Sequence, residues 1–219
     1  MDFSKKEYFV NRETSWLEFN QRVLDQAFSE DNPILERLKF LCIVSSNLDE
    51  FFEVRVAGLK QQMQTESSET GPDGLSAKET LALISARTQR MVEDQYRCWR
   101  EHISPALDAQ RIRFHSYPDV PEEERAYFEK YFRETIYPVL TPLAVDPAHP
   151  FPQLLNKSLN VIVELEGEGL NTDIAVVQAP RILPRVVPFS KRTDGDDYVF
   201  LGNIIQAHVD TLFRGVTVK

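Results

Sequence analysis

The sequence predicts an α+β protein, with a helical bundle over residues 1–110 followed by a truncated α+β head domain over 111–219. Three observations predict it. Apolar residues in the first half recur every three or four positions, the period of one helix face. Beyond Gln110 prolines recur, and apolar residues alternate or run in short stretches, as strands do. Lastly, Gly215 to Lys219 opens another strand and stops, which predicts ladder partners on further sequence.

The first element rests on Ser15 and Glu18, an S-x-x-E capping box in which each side chain satisfies an unpaired N–H of the first turn. Behind it Trp16, Phe19, Val23 and Ala27 share a face, flanked by Leu17, Leu24 and Phe28. Asn32-Pro33 predicts a second start, with Asn as the cap and Pro at the first helical position. Ile34, Leu35, Leu38, Leu41 and Cys42 form its expected buried side. Ser45-Ser46 reads as an interruption, and Asn47-Leu48-Asp49-Glu50 as a second capping box opening a third helix through Phe51, Val54, Leu59 and Met63. A polar linker, Thr65 to Gly74, precedes Ser76 and Glu79, which cap a fourth helix reaching Leu107.

In the second half, Arg111 to Phe114 predicts a short strand and Glu122 to Glu134 a charged helix. Prolines 138, 142, 147, 150 and 152 exclude regular helix and predict an extended path. Asn160 to Leu165, Ile174 to Gln178 and Tyr198 to Leu201 read as strands. Asn203 to Phe213 reads as an amphipathic helix that turns Ile204, Ile205, His208, Val209 and Leu212 inward.

Composition narrows the function classes. Hydrophobic residues at 42% and charged residues at 27% are ordinary for a globular protein, and no apolar run approaches a span. The charged, aromatic start lacks a signal core, and Cys42 and Cys98 are the only cysteines. A cytoplasmic protein without a disulfide framework or transmembrane segment is expected. A net charge of −9 argues against whole-surface affinity for nucleic acid or another polyanion, and places any main cationic track on other sequence.

Few residues carry chemistry. His102, His115, His149 and His208 share no metal-binding spacing, and His208, on an apolar helical face, reads as a hydrogen-bonded core histidine. Neither a G-x-x-x-x-G-K-[ST] loop nor a G-x-G-x-x-G turn is present, and no nucleophile elbow supports a hydrolase. One position stands out. An amide at Asn47 has a donor side and an acceptor side, so it can pair with the amino and ring-nitrogen edge of adenine, although a plain N-cap needs no ligand. Arg55 and Lys60 could reach a phosphate, with a solvated face as the simpler reading.

Longer segments resemble a family. Asn11 to Leu24 (NRETSWLEFNQRVL), Asn32 to Leu41 (NPILERLKFL), Ser45 to Leu59 (SSNLDEFFEVRVAGL), Leu140 to Pro152 (LTPLAVDPAHPFP) and Pro180 to Arg185 (PRILPR) are similar, in order, to the phosphohistidine-forming bacterial polyphosphate kinases. The resemblance implies an enzyme that reversibly transfers the γ-phosphate of ATP to polyphosphate with Mg²⁺, yielding ADP, and that is a homo-oligomer. It implies that this chain is the amino-terminal part, inactive alone, with the phosphorylated histidine and the magnesium ligands downstream. Asn47 matches the family asparagine that contacts ATP, so this segment is expected to wall one side of the nucleotide pocket and to share in oligomer contacts. The alternative is a stand-alone, non-catalytic docking or oligomerisation protein derived from that family.

Overall fold

In a computed structural model the described residues are 5–65, 70–146, 148, 150–167, 172–191 and 194–219. Pro147 and His149 lie outside them, as does part of the polar linker. The chain divides into two compact units, Met1–Ala109 and Gln110–Lys219.

The first unit is helical. It contains α1 (Arg12–Phe28), α2 (Ile34–Phe51), α3 (Ala57–Gln64), α4 (Ala77–Arg97) and α5 (Ser104–Ala109). A π turn at Phe52–Val56 joins α2 to α3, and another at Cys98–Ile103 joins α4 to α5. Three continuous rods therefore replace the four expected helices. Ser45-Ser46 breaks nothing, because serine costs only a few tenths of a kcal/mol relative to good helix formers. Leu41, Val44, Leu48 and Phe51 carry one buried stripe straight through it. Asn47 is consequently a mid-helix residue and caps nothing.

Two other expected starts move. Asn11, not Ser15, caps α1, its Oδ1 accepting from the amides of Glu13 and Thr14 at 3.1 and 3.0 Å. Glu18 turns instead to α4, where Arg87 donates from Nε and Nη2 at 2.5 and 3.2 Å. That bond holds the Glu18 carboxyl below its usual range. Pro33, not Asn32, is the N-cap of α2, and Asn32 donates back to the Gln26 carbonyl. The Ser76–Glu79 capping box forms as expected.

The buried faces are rotated from those expected. In α1 they are Leu17, Asn20, Leu24 and Ala27, while Phe19 is exposed. In α2, Leu35 and Cys42 are exposed and Arg37 is buried. Its guanidinium donates to the carbonyls of Ala27 and Phe28, which the end of α1 leaves unpaired. A charge at that point also suits the helix dipole.

The second unit is α+β. A sheet of order β1–β6–β5 sets β1 (Ile112–His115) parallel to β6 (Asp196–Phe200), with β5 (Val186–Pro188) antiparallel beyond. An antiparallel sheet of order β2–β4–β3–β7 joins β2 (Pro142–Ala144), β3 (Asn160–Glu166), β4 (Ile174–Gln178) and β7 (Thr217–Val218). The last strand has its partner in this chain. Leu165 pairs with Val218 and Glu166 with Thr217, correcting the expectation of missing ladder partners. One apolar core joins both sheets to α6 (Glu122–Tyr131), the following π turn and α7 (Leu201–Ala207) through Phe128, Ile136, Val163, Val177, Val199 and Ile204.

Prolines explain two of the π turns. Pro105 and Pro138 follow the widened turns at Cys98–Ile103 and Phe132–Ile136. A proline ring clashes with the carbonyl four residues back, and a widened ladder relieves that clash.

His208 ends α7, partly buried, with its Nε2 2.8 Å from the Tyr117 hydroxyl and its ring stacked on Phe132. Burial pushes its pKa down, against the pull of Glu129 and Asp210 and with the push of Arg133. The unfolded chain therefore takes up a proton, near pH 6.5, that the folded unit resists. The neutral ring's contribution to stability is fully present above that pH and is lost as pH falls toward the lowered folded value. Stability followed by denaturant titration should drop between pH 7 and pH 5, with a shallower slope in His208→Asn. Equal slopes would assign the drop to other groups.

Candidate functional site

Asn47 lies one turn before the end of α2, and its side chain meets α1. Its Nδ2 donates to Asn20 Oδ1 at 2.9 Å. Asn20 is completely buried, and its own Nδ2 points at the Val44 carbonyl (3.3 Å) and the Met91 sulfur (3.5 Å). Asn47 itself is only half-buried. Among the described residues its Oδ1 accepts no hydrogen bond, and its second Nδ2 hydrogen is unassigned. An acceptor and a donor thus remain side by side for a planar partner with the complementary edge.

Four and eight residues further along, Phe51 and Arg55 also face α1. The Phe51 ring stacks on Trp16, centroids 4.5 Å apart and planes at 9°. Arg55 Nη1 is 3.1 Å from Glu13 Oε2, and its guanidinium carbon is 5.8 Å from the Trp16 ring centroid. Four residues are close to one helical turn, so Arg55 stays on the face of Phe51 through the π turn. Its charge is met by Glu13, so Arg55 is a tether between rods before it is a phosphate ligand. Lys60 lies elsewhere, at a cavity of about 300 Å³ lined by Phe52, Val56, Ile84 and Thr88.

A second cavity, about 410 Å³, opens beside the start of α1 and is lined by Phe9, Asn11, Glu13, Leu59, Asp73 and Thr80. Its polar rim is already engaged, since Asn11 Nδ2 donates to Asp73 Oδ2 at 2.7 Å and lies 3.4 Å from Thr80 Oγ1. Among the described residues no group of three or more His, Cys, Asp or Glu side chains could hold a metal ion. Nor is any described helix long and apolar enough to cross a membrane.

Three of the four histidines are described, and each has a partner. His102 meets the edge of the Phe28 ring, His115 Nε2 is 2.7 Å from Asp197 Oδ1, and His208 pairs with Tyr117. The residue that sequence reasoning missed is Asn20. Its signal was a polar side chain at the centre of the 17–20–24–27 spacing, the buried stripe of α1.

Comparison with known proteins gives the context. Residues 9–115 match the model of the polyphosphate kinase N-terminal domain, and residues 123–219 that of the polyphosphate kinase middle domain. A polyphosphate kinase of Pseudomonas aeruginosa is 47% identical over 216 residues, 96% of this chain and 31% of the relative. One from Burkholderia lata is 46% identical over 215 residues, with the same coverage. The crystal structure of polyphosphate kinase from Porphyromonas gingivalis superimposes with a TM-score of 0.83 at 31% identity, over 96% of this chain and 31% of that one. The chain thus spans about a third of the length of these relatives, and by matches that run in order through both of its units it belongs to the polyphosphate kinase family.

Proposed function

We propose that this chain is the amino-terminal part of an enzyme that reversibly transfers the γ-phosphate of ATP to polyphosphate, and that Asn47 contacts the adenine. Family models matching both units, in chain order, carry this reading. The half-buried Asn47 amide, held by Asn20 and offering one acceptor and one donor, supports its finer part. In this reading residues 1–110 form a helical domain that walls one side of the nucleotide pocket. Residues 111–219 form part of an α+β head that shares in contacts between copies of a cytoplasmic homo-oligomer.

Phosphoryl transfer needs a nucleophile and concentrated positive charge around the moving group. The described histidines are bound up in packing, and Arg55 is neutralised by Glu13. By the chain's resemblance to the family, the phosphohistidine and the Mg²⁺ ligands are expected in the two-thirds of the relatives' length that this chain does not match. These 219 residues alone are expected to be inactive. Their part is to bind and orient the base.

The test is Asn47→Ala in the full natural polypeptide, assayed for ATP:polyphosphate transfer. Loss of one or two hydrogen bonds should raise the KM for ATP roughly tenfold, with the dependence on polyphosphate unchanged. Tryptophan fluorescence checks that the helical unit remains folded. An unaltered dependence on ATP would remove Asn47 from the site.

A further inference from the structure

We infer that Asn20 is a positioning residue that locks the Asn47 amide with its oxygen outward, so that the site accepts adenine and discriminates against guanine. This rests on the reading of Asn47 as the base contact and deepens it to a specificity.

The argument is a relay of two amides. A free asparagine can turn its amide over and exchange donor for acceptor. Asn20 cannot, because its Nδ2 faces the Val44 carbonyl and the Met91 sulfur, neither of which can donate. Turning Asn20 over would set its oxygen against the Val44 oxygen in a completely buried position. Its Oδ1 is therefore fixed toward Asn47 and can only accept. Asn47 must in turn present Nδ2 at 2.9 Å, because the reversed amide would oppose two oxygens. The buried backbone of α2 thus sets the orientation of a half-buried side chain on the same helix, by way of α1.

The consequence is chemical. A purine held by its sugar and ring places an amino donor (adenine) or a carbonyl acceptor (guanine) at the same 6-position. A rotatable amide serves either one. An amide locked with Oδ1 outward accepts from the adenine amino group, while its remaining Nδ2 hydrogen meets the adjacent ring nitrogen. Against guanine the same oxygen faces an oxygen, a mismatch that works through repulsion as well as a lost bond.

The experiment has two arms. In the 219-residue chain, NMR of the Asn47 side-chain amide should show one of its two hydrogens protected from exchange. Equal exchange of both would overturn the lock without any variant having to fold. In the full natural polypeptide, Asn20→Ala should lower the ATP-over-GTP ratio of kcat/KM roughly tenfold, chiefly through a higher KM for ATP. A merely structural role would lower both nucleotides alike, so an unchanged ratio alongside an Asn47→Ala effect on ATP would overturn the inference and leave the base contact standing. Loss of the Asn47→Ala effect itself would instead remove the base contact, and the inference with it.

Discussion

Phe51→Ala should destabilise the helical unit by about 3–5 kcal/mol, the range for deleting a buried aromatic ring. Phe51 is 2% exposed and packs between its own helix and α1, stacked on Trp16 and edge-on to Phe52 at 5.8 Å. Its loss removes the transfer energy of the ring, leaves a cavity that continuous rods cannot easily collapse, and forfeits the aromatic pair. Both tryptophans, Trp16 and Trp99, belong to this unit, so fluorescence during denaturant titration reports on it selectively. The neighbouring Phe52→Ala serves as the control, because that ring is 41% exposed and should cost less than about 1 kcal/mol. Equal costs for the two substitutions would mean that the register of α2 across the serine pair is wrong. A second consequence concerns the site. Trp16 carries the Arg55 contact, so Phe51→Ala should also loosen the face on which Asn47 sits.

A comparable loss, again about 3–5 kcal/mol, is expected for Phe128→Ala in the α+β unit. Phe128 is fully buried at the meeting of α6 with both sheets. Three rings surround it: Tyr127 at 5.2 Å, Phe189 at 5.4 Å and Tyr117 at 6.3 Å. Tyr117 also holds His208, so the cavity would reach that partly buried imidazole as well. Near-UV circular dichroism of the tyrosines should follow the change, since five of the chain's seven lie in this unit. Phe128→Leu keeps most of the volume and should cost less than about 1.5 kcal/mol. If leucine proved as damaging as alanine, shape at that point, rather than buried volume, would govern the core.

The α+β class was legible because its signals are local. Apolar alternation at Asn160–Glu166 and a continuous apolar run at Ile174–Gln178 produced β3 and β4, and the Ser76–Glu79 box began α4. Where local signals competed with packing, packing decided. Ser45-Ser46 and the acidic residues after Asn47 imitate a helix start, yet four buried apolar side chains at helical spacing outweigh a propensity difference of tenths of a kcal/mol. At Ser15 the imitation failed for a different reason, since Glu18 gained an arginine from a helix some 70 residues away. Strand β5, three residues that end on Pro188, carries too little pattern to be read before its partner β6 is known.

The candidate site divides along the same line. The sequence by itself determined that Asn47 was the residue to examine, through the ordered segments that resemble the family, and that metal and phosphate motifs were missing from its local patterns. Only the tertiary structure decided what Asn47 can do. In sequence Asn20 is 27 residues away, and Val44 and Met91 carry no polar side chain to mark them. Folding sets α1 against α2 and α4, buries Asn20 where no water can reach it, and leaves a carbonyl and a sulfur as its partners. Hydrogen-bond direction then passes from buried backbone to half-buried side chain, because an unsatisfied acceptor costs far more inside a protein than at its surface.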